Sequence, residues 1–136
     1  MTAVTIFVCV SCRRQLGEGE DSFDQPGHGL AEAIKARLQG GEQARLQGGE
    51  QARLTVATVD CLAVCKRPCT VALVGADKWT YLIGDLDPCS HVDEIVAAAK
   101  SFAASDNGIV PWRERPASFR KGVIARVPPI NHKELQ

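Results

Sequence analysis

The chain has 136 residues, with sixteen basic and sixteen acidic side chains, a formal net charge of zero and six cysteines. That length fits one domain, since domains most commonly run about 100–150 residues, and the neutral balance excludes a dedicated nucleic-acid binder, whose footprint is strongly basic. No apolar stretch approaches the ~18 residues of a membrane-spanning helix; the longest are runs such as Val71–Ala76.

Thr5–Val10 is a short apolar run rich in β-formers and reads as a strand buried on both faces. Arg13–His28 lacks hydrophobic periodicity and carries glycines, Pro26 and the acids Glu18, Glu20, Asp21 and Asp24, so it reads as a loop. Those acids are either a solvated loop or an acidic face that steers toward a basic partner. From Leu30 a helical spacing begins, with Ile34 and Leu38 following at intervals of four. Ala36–Gln43 is then repeated letter for letter as Ala44–Gln51, and Ala52-Arg-Leu54 opens a third copy. Eight residues advance a helical face by roughly 80° beyond two turns, so the leucines of the copies cannot form one stripe. A tandem duplication over 36–54, tolerated at a helix–strand junction, is the expectation.

Leu54–Val59, Thr70–Val74 and Trp79–Ile83 read as the second, third and fourth strands, with Gly75-Ala-Asp-Lys78 as a hairpin turn. A second helix runs from about Asp87-Pro88 to Ala104, marked by Ser90-x-x-Asp93 as a capping box. The order β-α-β, hairpin, α predicts an α/β fold of the thioredoxin-like kind, with a four-stranded mixed sheet and two main helices. That domain is placed at 1–105, and 106–136 is expected to be an extended tail. The tail holds four prolines and six basic against three acidic residues, a charge of +3. It either lies across the domain or offers a basic, aromatic docking segment to an acidic partner.

The cysteines carry the chemistry. The start of the chain shows no basic n-region or cleavage pattern, so a cytoplasmic location is expected. In a reducing compartment clustered thiols point to metal or redox chemistry. In the predicted topology Cys9, Cys12, Cys61, Cys65, Cys69 and Cys89 all fall at one end of the sheet. A Cys-x2-Cys pair and a Cys-x3-Cys pair supply four thiolates, the complement for an iron–sulfur cluster or for zinc, and spacing does not choose between them. Thiol–disulfide exchange is a third chemistry for Cys9-Val-Ser-Cys12. The long loop after Cys12, however, is expected to keep the helix N-terminus out of reach. His28, His91 and His132 fit no motif and read as ordinary surface histidines.

Cys61-Leu-Ala-Val-Cys65-Lys-Arg-Pro68, between two strands, resembles the Cys-x3-Cys half of thioredoxin-like 2Fe–2S ferredoxins. The stretches Cys9-Val-Ser-Cys12-Arg, Cys65-Lys-Arg-Pro68-Cys69-Thr-Val-Ala-Leu, Tyr81–Pro88 and the tail Trp112…Arg115-Pro116…Arg120 resemble an uncharacterised bacterial family labelled as predicted metal-binding proteins. The resemblance implies a 2Fe–2S cluster on Cys9, Cys12, Cys61 and Cys65, with Cys69 as a possible substitute ligand and a cis bond at Pro68. It implies a small electron carrier and not an enzyme, working with a redox partner protein and no nucleic acid or membrane. A homodimer is left open. The alternatives are a zinc or other metal-binding protein of structural or delivery role, and a thiol–disulfide oxidoreductase. Cys89, near a helix start, is a spare ligand, a reactive thiol or a buried small hydrophobe.

Overall fold

The computed structural model describes residues 2–11, 14–15, 23–39, 44–45, 51–64 and 66–134. Six strands form the main sheet: β1 (Thr2–Cys9), β4 (Ala44–Arg45), β5 (Gln51–Val59), β6 (Val71–Gly75), β7 (Thr80–Ile83) and β8 (Val123–Val127), in the order β4-β5-β1-β6-β7-β8. Two short strands, β2 (Arg14–Gln15) and β3 (Phe23–Asp24), pair with each other. The helices are α1 (Gly27–Gln39), α2 (Val92–Ala104) and the single turn α3 (Ser118–Lys121).

The central pairs arise as the apolar pattern demands. β1 and β5 run parallel, with Val4 opposite Leu54 and Ile6 opposite Val56. β6 runs antiparallel to β1, and a turn in which the Lys78 N–H bonds the Gly75 carbonyl at 3.3 Å leads from β6 into the antiparallel β7. Side chains in register share a face, so Val4, Ile6 and Val8 stand beside Val71 and Leu73, and these beside Ile83 and Tyr81. All seven are buried. Leu30 and Ile34 of α1 and Ile95, Ala99 and Phe102 of α2 close the same core. Each large apolar side chain buried this way stabilises the fold by about 1.5–3 kcal/mol.

Both helices touch β1, β5 and each other, so they cover one face of the sheet. The expectation that the first strand is buried on both faces is therefore corrected. Thr5 and Phe7, on the opposite face, are only half-buried and Ala3 is exposed. The run reads as doubly buried because Phe7 and Cys9 interrupt the polar alternation that marks a one-sided strand.

The sheet gains two strands over the expected four. One is β8, from the tail, which pairs antiparallel with β7. The other is β4, two residues of the second repeat copy, which folds back on β5. The same Ala-Arg pair that opens each copy thus lies in α1 as Ala36-Arg37, in β4 as Ala44-Arg45 and in β5 as Ala52-Arg53. Tertiary context overrides local propensity at this junction. The tail is anchored by burial of Val110 and Phe119 in the common core. The Arg115 Nε–H bonds the Val110 carbonyl at 2.8 Å, and its guanidinium lies 5.4 Å from the centre of the Tyr81 ring. Among the described residues no helix is long and apolar enough to cross a membrane.

The expected capping box before α2 does not form. His91 occupies the N-cap without a side-chain cap. Asp87 instead accepts the N–H groups of Cys89 and Ser90 through Oδ1, at 2.6 and 3.2 Å. Asp93 is drawn away to Arg37 of α1, at 2.8 Å. An Asx turn wins because Asp87 can bond its own near neighbours before the helix begins.

Candidate metal centre

The parallel strands β1 and β5 end side by side, which brings two cysteine-bearing segments to one edge. Cys9 is the last residue of β1 and stands opposite Val59. Beyond it the strands stay zipped, the Val10 N–H bonding Val59 O at 3.0 Å and the Ser11 N–H bonding Asp60 O at 3.1 Å. The Cys9 N–H reaches the other way, to Thr70 O at 3.1 Å. Its thiol lies 3.8 Å from the Asp60 carbonyl, a weak S–H donation to the residue just before Cys61. The Ser11 hydroxyl donates to the same carbonyl.

Cys61 is an exposed, free thiol whose sulfur accepts the Ala63 N–H at 3.1 Å. Ala63 sits in the left-handed region at φ 63°, which turns its amide back toward the sulfur. N–H donors to sulfur are a means by which a protein tunes a thiolate or a cluster held by one.

The rest of the loop is fastened by Arg67. Its Nε–H pairs with Asp85 at 2.8 Å and a terminal N–H bonds Lys121 O at 3.3 Å. Its own carbonyl accepts the Asp85 N–H at 3.0 Å and the Thr70 hydroxyl at 3.0 Å. No sequence signal pointed to this clamp, because its partners lie 18 and 54 positions away.

The cysteines separate into two kinds. Cys9 and Cys69 are fully buried, while Cys61 and Cys89 are exposed. Cys69 packs within the hydrophobic core and exchanges two backbone bonds with Leu86, at 3.3 and 3.1 Å. The cis bond lies between Pro68 and Cys69. Cys12 and Cys65, the other two expected ligands, lie outside the described residues, as do Glu18, Glu20 and Asp21 of the acidic loop. Among the described residues no three His, Cys, Asp or Glu side chains come together as a metal-holding group.

The helix N-terminus is nearer than the sequence suggested. Gly27, the first residue of α1, packs directly on the backbone of Cys9 and Val10. The loop between them returns the chain to its starting point, so distance along the sequence misled. The positive end of α1 therefore lies against the strand end that carries Cys9, where it favours negative charge.

The family model described as a protein of unknown function, DUF1636, matches residues 6–129. The chain belongs to the DUF1636 family. That description assigns the DUF1636 chain no activity, and a search of the curated proteins finds no match. Among solved structures it is similar to a thioredoxin-like [2Fe-2S] ferredoxin from Aquifex aeolicus, at 18% identity, with a TM-score of 0.57 over 98% of this chain and 100% of that one. The likeness establishes the thioredoxin-like α/β fold for this DUF1636 protein.

Proposed function

We propose that the protein is a small iron–sulfur electron carrier that holds a 2Fe–2S cluster on Cys9, Cys12, Cys61 and Cys65. The observation that carries this reading is the shared strand edge. Cys9 ends β1, Cys61 follows β5 by two residues, and the Cys9 thiol touches the carbonyl of Asp60. The donor set fits the group, since two Cys pairs supply four thiolates. When bound, the cluster accepts and returns one electron at a time.

The chain's own residues hold and tune the site. Ala63 donates its N–H to the Cys61 sulfur, and Arg67 pins the connecting loop to Asp85 and to the Lys121 carbonyl. The first turn of α1 lies against Cys9 and favours the negative charge of a thiolate-bound cluster. The fold shared with a ferredoxin supports the same reading. A redox partner protein completes the function.

The test is the colour and metal content of the full chain purified without oxygen. A red-brown protein with iron and sulfide in equal amounts is expected. Colourless protein with one stoichiometric zinc overturns the electron-carrier reading, and so does metal-free protein that reduces disulfides.

A further inference from the structure

The outer side of β5 is largely bare. On its inner side β5 pairs with β1 along Ala52–Val59. On its outer side β4 covers only Gln51 and Ala52. The Val10 N–H bonds Val59 O, and in a parallel ladder alternate residues bond a given neighbour. Val59, Ala57 and Thr55 therefore turn their backbone groups toward β1, and Leu54, Val56 and Thr58 turn theirs outward. Among the described residues nothing pairs with those three.

The bare run over 54–59, Leu-Thr-Val-Ala-Thr-Val, is uncharged, holds no proline and is rich in β-formers. Soluble proteins blunt an edge with charges, prolines, bulges or a covering segment, and none of these stands along 54–59 among the described residues. The ends of the run carry opposite charges. Arg53 precedes it and Asp60 follows it, both exposed. Among the described residues neither side chain has a partner.

We propose that this edge binds a second copy of the chain, two antiparallel β5 strands joining two sheets into one. The free window runs from Arg53, where β4 stops, to Val59, where β5 ends, and Val56 is its centre. A two-fold axis through Val56, perpendicular to the sheet, sets Leu54 opposite Thr58 of the second copy and Val56 opposite Val56. Each of these pairs exchanges two backbone bonds, the source of affinity in strand addition. The Arg53 end of each copy meets the Asp60 end of the other, whereas a parallel arrangement would set like charges together. Cys61 lies beyond the window, so the two copies carry theirs at opposite ends, about 30 Å apart at ~3.3 Å per residue. None of the proposed cluster ligands takes part, so the dimer stands whether or not the protein carries metal.

The experiment follows the mass of the full chain by light scattering, and its amide hydrogen exchange, as protein concentration is raised. The mass should climb from 14.6 kDa toward twice that value. The Leu54, Val56 and Thr58 amides should gain protection in step, while those of Thr55 and Ala57, already bonded to β1, stay as they were. Arg53→Glu should raise the dissociation constant about tenfold, two charge contacts being lost per dimer, and Arg53→Glu with Asp60→Lys should restore it. A mass of 14.6 kDa even at millimolar protein overturns the proposal. So does a dimer whose Leu54, Val56 and Thr58 amides stay unprotected, and a double variant no tighter than Arg53→Glu overturns the antiparallel arrangement.

Discussion

A methyl group on Gly27 would lie 2.1 Å from the carbonyl oxygen of Cys9 and 2.7 Å from the Cα of Val10. Only glycine lets α1 settle that closely on the end of β1. Two positions further along the helix, Gly29 has nothing within 4 Å of where its Cβ would be.

The two glycines give opposite expectations. Gly27→Ala forces α1 off the strand end and should cost about 1–3 kcal/mol, as overpacking does. Gly29→Ala should stabilise α1 by about 0.5–1 kcal/mol, the usual gain from removing a helical glycine. Urea unfolding midpoints check both. Equal midpoints for the two variants would show that the approach of α1 to Cys9 is not as described.

Metal retention should follow position at the sheet edge. Cys61→Ser, at an exposed residue, should abolish iron binding without unfolding the chain, and Cys9→Ser should abolish it as well. Cys89→Ser should leave the iron content within error of the parent. Iron assays on anaerobically purified variants decide. A colourless Cys89→Ser protein beside a red-brown Cys61→Ser protein would exchange their roles.

Lys78 is 6% exposed and donates to the carbonyl of Ser105, the C-cap of α2, with its ammonium 5.9 Å from the Phe102 ring centre. A buried cation at a helix C-terminus meets the negative end of the dipole. Lys78→Met keeps the apolar stem and loses that charge. The expected loss is about 1–2 kcal/mol, read by thermal or urea unfolding. A variant as stable as the parent would mean that the packing of the stem is all that Lys78 contributes.

Deleting Ala44–Gln51 joins Gln43 to Ala52, and Gln43 then stands where Gln51 stood. The sequence entering β5 is unchanged. Only the two-residue edge strand β4 is lost, so stability should change by about 1 kcal/mol or less, given the weak dependence of closure entropy on loop length. Any bound metal should remain. Loss of the folded circular dichroism spectrum, or of the metal, would make the second copy a structural part of the sheet.

The pair Arg67–Asp85 tests the loop. The two side chains are 33% and 56% exposed, so Arg67→Ala should cost about 1 kcal/mol or less in global stability. Its effect should be local, in faster hydrogen exchange at the Asp85 and Leu86 amides, which bond Arg67 O and Cys69 O. Unchanged exchange there would remove the clamp from the account.

Much of this was legible in the sequence, for a definite reason. Leu30 and Ile34, with Ile95, Ala99 and Phe102, follow the helical period, and periodicity reports burial directly. The gathering of cysteine-bearing loops at one edge followed from strand direction alone. What escaped depended on contacts between distant segments. The return of the loop that sets Gly27 on Cys9 leaves no mark in spacing. Val123-Ile-Ala-Arg-Val127 did carry a strand signal, but four prolines and a basic surplus in the same segment masked it. His91 looked like an isolated surface residue because its partner, the Asp87 N–H, belongs to the backbone. Arg115 and Arg120 looked like docking charges, yet Arg115 holds Val110 O and Arg120 holds the carbonyls of Trp112 and Arg113.

The place of β8 beside β7 has a further consequence. Without it, Thr80–Ile83 would be the rim of the sheet, with unpaired N–H and C=O groups free to template another chain. β8 takes up those groups, and the chain then runs at once into Pro128-Pro129, which can donate nothing. β8 is then itself the rim of the sheet, five residues that carry the charge of Arg126 and end in prolines, features that limit edge pairing. A chain cut after Ala104 would lose Val110 and Phe119 from the core and gain an edge competent to aggregate.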